Sequence, residues 1–175
     1  MAKIQLKNAR LSFPSLFQKA EFDGVKTKFE GTFLLDKTTQ ADQIKIVEKA
    51  IDDFLSAKFP NGAPKSIKRT VFVDGDSKDY DGYANQMGFK GSNTKRPTVI
   101  NRDKSPITEE DGILYAGCYV NAIVDLWYSD HPKGGKQVLG NVMGVQFVKE
   151  GSTFGADTTS SAEEFDELEN DEMFK

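Results

Sequence analysis

Residues 112–149, GILYAGCYVNAIVDLWYSDHPKGGKQVLGNVMGVQFVK, decide the fold class. The stretch predicts two long strands joined by a glycine-containing turn at residues 129–136. Because successive side chains of a strand point to opposite faces of the sheet, the first strand divides into two sets. One set is small and apolar, as a buried core requires: Ala116, Cys118, Val120, Ala122, Val124 and Leu126. The chain is therefore predicted to be mainly β.

The opposite face of that strand carries three large rings, Tyr115, Tyr119 and Trp127, among small or polar residues. Rings on an open sheet face can form platforms on which nucleobases stack. The same rings would also suit a second core layer beneath a helix or loop, because both faces of a sheet are often buried in mixed folds. This stretch alone leaves both interpretations open.

The chain before this stretch predicts further strands and one helix. Lys3–Phe13 predicts a first strand whose apolar residues change face, which a bulge near Asn8 would explain. Lys26–Leu35 predicts a second strand. An apolar stripe at helical spacing then predicts a helix from a capping box at residues 39–42 to about Lys58. Shorter strand candidates follow at Val71–Val73, Gln86–Phe89 and Pro97–Asn101.

Composition excludes several classes of protein. The 175 residues suit one domain with an appendage. The single cysteine, Cys118, and the single histidine, His131, rule out an intramolecular disulfide and a Cys/His zinc site. No apolar run approaches the length of a membrane-spanning helix, and the first residues lack the apolar segment of a signal peptide. We therefore expect a cytoplasmic protein that carries no cofactor.

The charge of the chain is unevenly distributed. Residues 156–175 contain eight acidic residues and one basic residue, a net charge of −7, whereas residues 1–155 carry +3. Apolar residues in this acidic tail are too sparse to favour a folded structure, so we expect disorder. The tail is either a solubility segment or a functional polyanion. As a polyanion it could compete with nucleic acid for a basic groove, or dock a partner through Glu169, Asp171, Glu172 and Phe174.

Basic and aromatic residues, Tyr80 and Tyr83 among them, are interleaved between residues 65 and 111. A groove that binds single-stranded nucleic acid needs such a mixture, because cations track the phosphates and rings stack on bases. Loop-rich surfaces often show the same mixture. The candidate DNA-contacting residues outside the strand of rings are Lys68, Arg69, Phe89, Lys90, Lys95, Arg96, Arg102, Lys133 and Lys136.

Four aspartates lie within eight positions, at Asp74, Asp76, Asp79 and Asp81. Their spacing fails the calcium-loop pattern, which requires a glycine at the sixth position. A metal-dependent nuclease or another DNA-processing enzyme could still use such carboxylates. The alternative is a solvated acidic turn without a metal.

Four segments resemble the single-stranded DNA-binding proteins of tailed phages. They are MAKIQLKNARLSFPSLF, RPTVINRDKSPI, LYAGCYVNAIVDLWY and GVQFVKEGSTFG. The resemblance implies an OB-type antiparallel barrel in residues 1–155, with one or two helices and elaborated loops. It also implies binding of single-stranded DNA with little sequence preference in the infected host cell. The acidic tail would then contact replication or recombination proteins.

This sequence departs from the family pattern in two places. The predicted helix follows the second strand, earlier than the usual OB helix, and Lys175 follows Phe174 at the end of the tail. We interpret the chain as a DNA-binding protein without catalytic activity, and a homodimer is compatible with the sequence. The alternatives are the nuclease that would use the aspartates and an adaptor that binds only proteins.

Overall fold

The computed structural model describes residues 3–154 and 166–168. The described chain is mainly β, with one α-helix and two short 3-10 turns at Gly75–Ser77 and Glu109–Asp111. The helix, α1, spans Ala41–Lys58. The strands are β1 Ile4–Ser15, β2 Glu21–Phe22, β3 Val25–Lys26, β4 Phe29–Asp36, β5 Phe72–Asp74, β6 Gln86–Asn93, β7 Thr98–Ile100, β8 Tyr119–His131 and β9 Gly135–Lys149.

Five of these strands close into a barrel. They follow the order β6-β4-β1-β8-β9, and β6 pairs again with β9 to complete the circle. The closing pair is parallel, whereas an antiparallel barrel was expected. Gly91 lies opposite Gly140 at this closure, and a Cβ added at Gly140 would fall 2.7 Å from side chains of the core. Glycine therefore permits the strands to close, and the barrel is consistent with the OB fold.

The β8–β9 hairpin confirms the prediction made from residues 112–149. The two strands pair from Tyr119 opposite Lys149 to His131 opposite Gly135. Ala116 lies before the strand and is half-buried, but the rest of the predicted core face is buried: Cys118, Val120, Ala122, Val124 and Leu126. The strand nevertheless begins at Tyr119 rather than near Tyr115, because Gly117 (φ 113°) interrupts the extended backbone.

Strand β1 contains the predicted bulge and a second irregularity that was not predicted. Asn8 has a positive φ of 53°, and the pairing with β8 shifts register between Leu6 and Ala9. A second shift, in the pairing with β4, lies between Ser12 and Ser15. Phe13, within that shift, has a φ of 46° and is 57% exposed. Simple alternation along the strand places Phe13 on the same face as Leu11, which is buried. The second irregularity instead leaves Phe13 exposed.

Helix α1 ends at Lys58 as predicted and packs its apolar stripe against β1 and β4. The predicted capping box of Thr39 and Asp42 is wrong, because the N-cap is Gln40 and no side chain caps the helix. Instead, the Asp36 carboxylate accepts hydrogen bonds from the backbone amides of Thr38 and Thr39 in the preceding turn. Within residues 3–154 and 166–168, no helix has the length and apolar character needed to cross a membrane.

Candidate nucleic-acid interface

Strands β4 and β6 carry a cleft on the outer face of the barrel. Along β4, Phe33 points into the core, whereas Thr32 faces outward and lies opposite Lys90 of β6. In OB folds this pair of strands, with the adjoining loops, forms the common surface for oligonucleotides. The cleft has a volume of about 340 Å³. Its lining residues are Phe13, Glu30, Gly31, Thr32, Thr70, Val71, Val73, Lys78, Tyr80, Tyr83, Lys90, Gly91, Ser92, Leu139 and Gly140.

Three rings, Phe13, Tyr80 and Tyr83, form an aromatic wall along one side of the cleft. The Phe13 and Tyr80 ring centroids lie 5.3 Å apart in an edge-to-face contact, and those of Tyr80 and Tyr83 lie 5.2 Å apart. Phe13 and Tyr80 are 57% and 51% exposed, whereas Tyr83 is 3% exposed. Two rings of the wall are therefore open to a base, and the third supports them.

Tyr83 is held in place by its hydroxyl, which hydrogen bonds with the hydroxyl of Ser12 at 2.8 Å. Burial raises the pKa of Tyr83, although hydrogen bonds to Ser12 and Thr32 oppose this effect. The phenol therefore stays neutral at physiological pH. Because Ser12 directly precedes Phe13 in β1, this bond ties the loop that carries Tyr80 and Tyr83 to the strand that carries Phe13.

The cleft is lined by two exposed lysines, Lys78 and Lys90, together with the carboxylate of Glu30. The backbone of Lys68 pairs with that of Lys136, and Thr70, two residues further on, lines the cleft. Lys68 and Lys136 therefore adjoin the cleft at its β9 side. Ammonium groups along a cleft can attract phosphates without restricting base identity.

The three rings predicted to form one row do not lie in one row. The Tyr115 hydroxyl donates a hydrogen bond to the Gly151 carbonyl at 2.9 Å and accepts one from the Gly151 amide, and its ring packs against the core. Tyr119 is half-buried in a separate polar groove, with the Lys149 ammonium 4.9 Å from its ring centroid. Trp127 lies opposite Leu139, a residue that lines the cleft. Trp127 is thus paired across the hairpin with a residue of the cleft.

Trp127 has two features that distinguish it from the other rings. The Lys28 ammonium lies 5.2 Å from its ring centroid. Its indole N–H is buried and has no hydrogen-bond acceptor among the residues that the structure describes. Buried donors are nearly always paired in folded proteins, so this one is exceptional.

The remaining predicted residues fall into three groups. Phe89 is fully buried and packs against Phe72, so it is a core residue and not a stacking ring. Arg69 is paired with Asp52 at 2.7 Å, and Arg96 donates a hydrogen bond to the Phe17 carbonyl at 2.8 Å. The other predicted cations have exposed side chains: Lys68, Lys90, Lys95, Arg102, Lys133 and Lys136.

The aspartate cluster already holds a cation of the protein itself. The Lys37 ammonium lies 2.6 Å from Asp74 and 2.7 Å from Asp76. The hydrogen bond from Lys37 lowers the pKa of Asp74. The pKa of Asp76 is lowered mainly by a hydrogen bond from the backbone amide of Asn85, and further by the hydrogen bond from Lys37. Across the described ranges, no three acidic, histidine or cysteine residues are grouped to hold a metal ion. This arrangement gives the nuclease interpretation no support.

Sequence reasoning missed Phe13 and Lys78. It named Tyr80 and Tyr83 in the mixture of basic and aromatic residues but not among the candidate DNA-contacting residues. Phe13 was missed because its position depends on the second irregularity of β1, for which the adjacent Pro14 was the only local signal. The predictions for the acidic tail fall outside the described residues except at 166–168, where Leu168 is 67% exposed.

Two comparisons of this sequence with known proteins each match nearly the whole chain. A family model described as the Enterobacter phage Enc34 ssDNA-binding protein matches residues 2–174. Protein p50 of Acyrthosiphon pisum secondary endosymbiont phage 1 is 38% identical over 175 residues, covering 95% of this chain and 94% of its own.

Two solved structures share the fold. The single-stranded DNA-binding protein of bacteriophage Enc34 in complex with ssDNA superposes with a TM-score of 0.73 and 24% identity. That match covers 87% of this chain and 89% of the Enc34 protein. The single-stranded DNA-binding protein gp2.5 of bacteriophage T7 has a TM-score of 0.53 and 12% identity, covering 92% of this chain and 98% of its own. At these identities the structures show a common fold.

Proposed function

The chain belongs to the family of the Enterobacter phage Enc34 ssDNA-binding protein, and we propose that it binds single-stranded DNA with little sequence preference. The observation that carries the proposal is the cleft on β4 and β6. Its aromatic wall presents the exposed rings of Phe13 and Tyr80 beside Lys78 and Lys90. The fold match to an Enc34 protein solved with ssDNA is consistent with this function.

Binding would combine two interactions that ignore base identity. Bases stack on the exposed rings, at about 1–3 kcal/mol per base. Lysine ammonium groups neutralise phosphates and release counterions, which makes the affinity depend on salt. A strand held in this way stays unpaired while DNA replication or recombination proceeds in the host cell.

The bound strand would extend beyond the cleft at its β9 side. Trp127 lies next to Leu139, and Lys28 covers its ring. The exposed lysines at 68, 133 and 136 supply cations near the β8–β9 turn. Lys95, Arg96 and Arg102 would bind phosphates further along the surface.

The acidic tail would act as a competitor and as a docking segment. A charge of about −7 tethered to a body of about +3 reaches an effective concentration on the order of millimolar. The tail would therefore occupy the basic cleft until DNA displaces it. Once released, Phe174 and the acidic residues Glu169, Asp171 and Glu172 would be available to a replication or recombination protein.

A gel shift with end-labelled DNA and RNA oligonucleotides, with and without Mg²⁺, tests the proposal. We expect a shifted band of intact DNA for several unrelated sequences, with or without Mg²⁺. Cleavage that requires Mg²⁺ would instead identify a nuclease. Intact and unshifted oligonucleotides in every lane would favour a protein that binds only proteins.

A further inference from the structure

Arg10 lies on the outer face of β1, where an arginine could bind a phosphate. Its side chain, however, is held by contacts with other residues of the protein. Its Nε donates a hydrogen bond to the Gly117 carbonyl at 3.3 Å, and its Nη2 donates one to the Ser152 carbonyl. Its guanidinium carbon lies 4.2 Å from the centroid of the Phe154 ring. Arg10 therefore fixes the segment that contains Ser152 and Phe154.

The Phe154 ring in turn packs against the loop that carries the aromatic wall. A Cβ added at Gly82 would lie 2.1 Å and 2.5 Å from two carbons of that ring. Gly82 also has a φ of 81°, which favours glycine. The backbone at position 82 thus lies against the ring, and Arg10 is close to the same point, since its Nη1 would lie 3.3 Å from that Cβ.

The contact continues from Gly82 into the cleft. The next residue, Tyr83, is anchored to Ser12, and its ring lies 5.2 Å from that of Tyr80 and 6.3 Å from that of Phe13. We call Arg10, Phe154 and Gly82 the clasp. The clasp therefore supports the loop that carries Tyr80 and Tyr83. Arg10 and Phe154 are not among the residues that line the cleft.

We propose that Arg10 and Phe154 are positioning residues for DNA binding: the clasp holds the loop that presents Tyr80, without touching the DNA. This inference rests on the proposed function, because it concerns the same cleft. It predicts that loss of the clasp weakens stacking on Tyr80 and leaves the number of neutralised phosphates unchanged.

A double-mutant cycle in the full chain tests the role of Phe154. Affinity for a fluorescein-labelled oligo(dT) is measured by anisotropy for wild type, Phe154→Ala, Tyr80→Ala and the double variant. Tyr80→Ala should weaken binding about 5-fold or more, the loss of one stacked base. Phe154→Ala should weaken binding by a smaller factor, about 3-fold or more. In the Tyr80→Ala background the same substitution should weaken binding less than about 2-fold, because the effects of coupled residues are not additive.

Several outcomes would overturn the inference while leaving the proposed function intact. In the first, the losses of affinity in the two single variants simply add in the double variant. In the second, Phe154→Ala binds with wild-type affinity, and in the third it binds more tightly than wild type. The last result would connect Phe154 to the acidic tail instead. Failure of the wild-type chain to bind oligo(dT) would be a failure of the proposed function itself.

Two further variants cover the case in which Phe154→Ala unfolds, which thermal unfolding would reveal. Phe154→Tyr keeps the ring and should bind like wild type. Phe154→Leu keeps an apolar side chain but removes the ring that contacts Arg10 and Gly82, and it should bind more weakly. If the leucine variant folds and binds like wild type, the proposal fails.

The salt dependence of binding tests the role of Arg10. Arg10→Met should lower the affinity while the slope of log affinity against log salt stays unchanged. Lys90→Met, the comparison, should reduce that slope by about 0.7, the value for one phosphate contact on a single strand. A reduction of about 0.7 for Arg10→Met would show a direct phosphate contact and overturn the positioning role.

Discussion

Phe13 combines local strain with exposure. Its φ of 46° is unfavourable for a residue with a Cβ, by roughly 1–2 kcal/mol, and its ring is 57% exposed. Conformational strain that persists on a protein surface is frequently associated with a binding site. A stacking role would explain why an aromatic residue occupies this position.

The variant Phe13→Gly separates the contribution of Phe13 to protein stability from its proposed contribution to DNA binding. Glycine relieves the strain, which offsets the loss of the Phe13–Tyr80 ring contact, worth about 0.5–1.5 kcal/mol. We expect a change of less than about 1 kcal/mol in the free energy of unfolding, and a loss of about 1–3 kcal/mol in DNA affinity. Urea unfolding and anisotropy measure the two quantities.

The exposed Ile46 of α1 supplies the control, because it lies outside the cleft. Ile46→Ala should bind DNA like wild type. If Phe13→Gly also binds like wild type, the ring does not stack on a base.

Trp127 gives an optical signal for the path of the strand, because it is the single tryptophan. If bound DNA extends past Leu139, single-stranded DNA should quench its fluorescence, and Trp127→Ala should weaken binding by about 1–3 kcal/mol without unfolding the domain. Unchanged fluorescence at saturating DNA would confine the strand to the other end of the cleft.

At the scale of elements, β6 carries Lys90 and the loop after β5 carries Lys78, and both lysines line the cleft. Removing either charge as Lys→Met should reduce the slope of log affinity against log salt by about 0.7. Lys45→Met, on the exposed face of α1, is the matched control and should leave the slope unchanged. Equal slopes for all variants would exclude these two lysines as phosphate ligands.

The ion pairs of Lys37 with Asp74 and Asp76 connect the turn before α1 to the loop after β5. The folded pKa values of both aspartates lie below their usual range. The pairs therefore contribute stability above the unfolded aspartate pKa of about 3.9, and this contribution is lost as the pH falls through the folded values. Lys37→Met should begin to unfold at a higher pH than wild type in an acid titration followed by circular dichroism. Superimposable acid curves would contradict this account.

The elements of this chain were predictable where the pattern was local. The alternation in β8 located the core face, because one face of that strand is almost wholly apolar. The bulge near Asn8 was predictable because the apolar residues of the first strand change face there. The parallel closure of β6 on β9 was not, since it depends on Gly91 meeting Gly140, residues far apart in the sequence.

The candidate site was harder to predict than the fold. Lys90 was among the predicted DNA-contacting residues and lines the cleft, but the stacking rings were expected mainly in the strand that contains Tyr115, Tyr119 and Trp127. The aromatic wall instead joins Phe13 of β1 to the loop that carries Tyr80 and Tyr83. Tertiary contacts such as the Ser12–Tyr83 hydrogen bond bring these residues together. The spacing of apolar residues along the sequence does not predict such contacts.

On the scale of the whole molecule, the separation of charge predicts competition between the tail and DNA. Deleting residues 156–175 should tighten binding to single-stranded DNA, most at low salt, where the attraction between tail and body is least screened. Paired salt titrations of the full-length and truncated chains measure this effect. Equal affinities at every salt concentration would show that the tail does not compete. Phe174→Ala should spare DNA binding while weakening the docking of a partner.

The central claim, that single-stranded DNA lies in the cleft on β4 and β6, is tested most directly by photocrosslinking. An oligonucleotide with 5-iododeoxyuridine at successive positions is bound to the full chain and irradiated, and the crosslinked residues are identified by mass spectrometry. Iodouracil reacts with aromatic residues that stack on it, so we predict crosslinks at Phe13 and Tyr80. Crosslinks confined to residues outside the cleft, such as those of α1, would contradict the account.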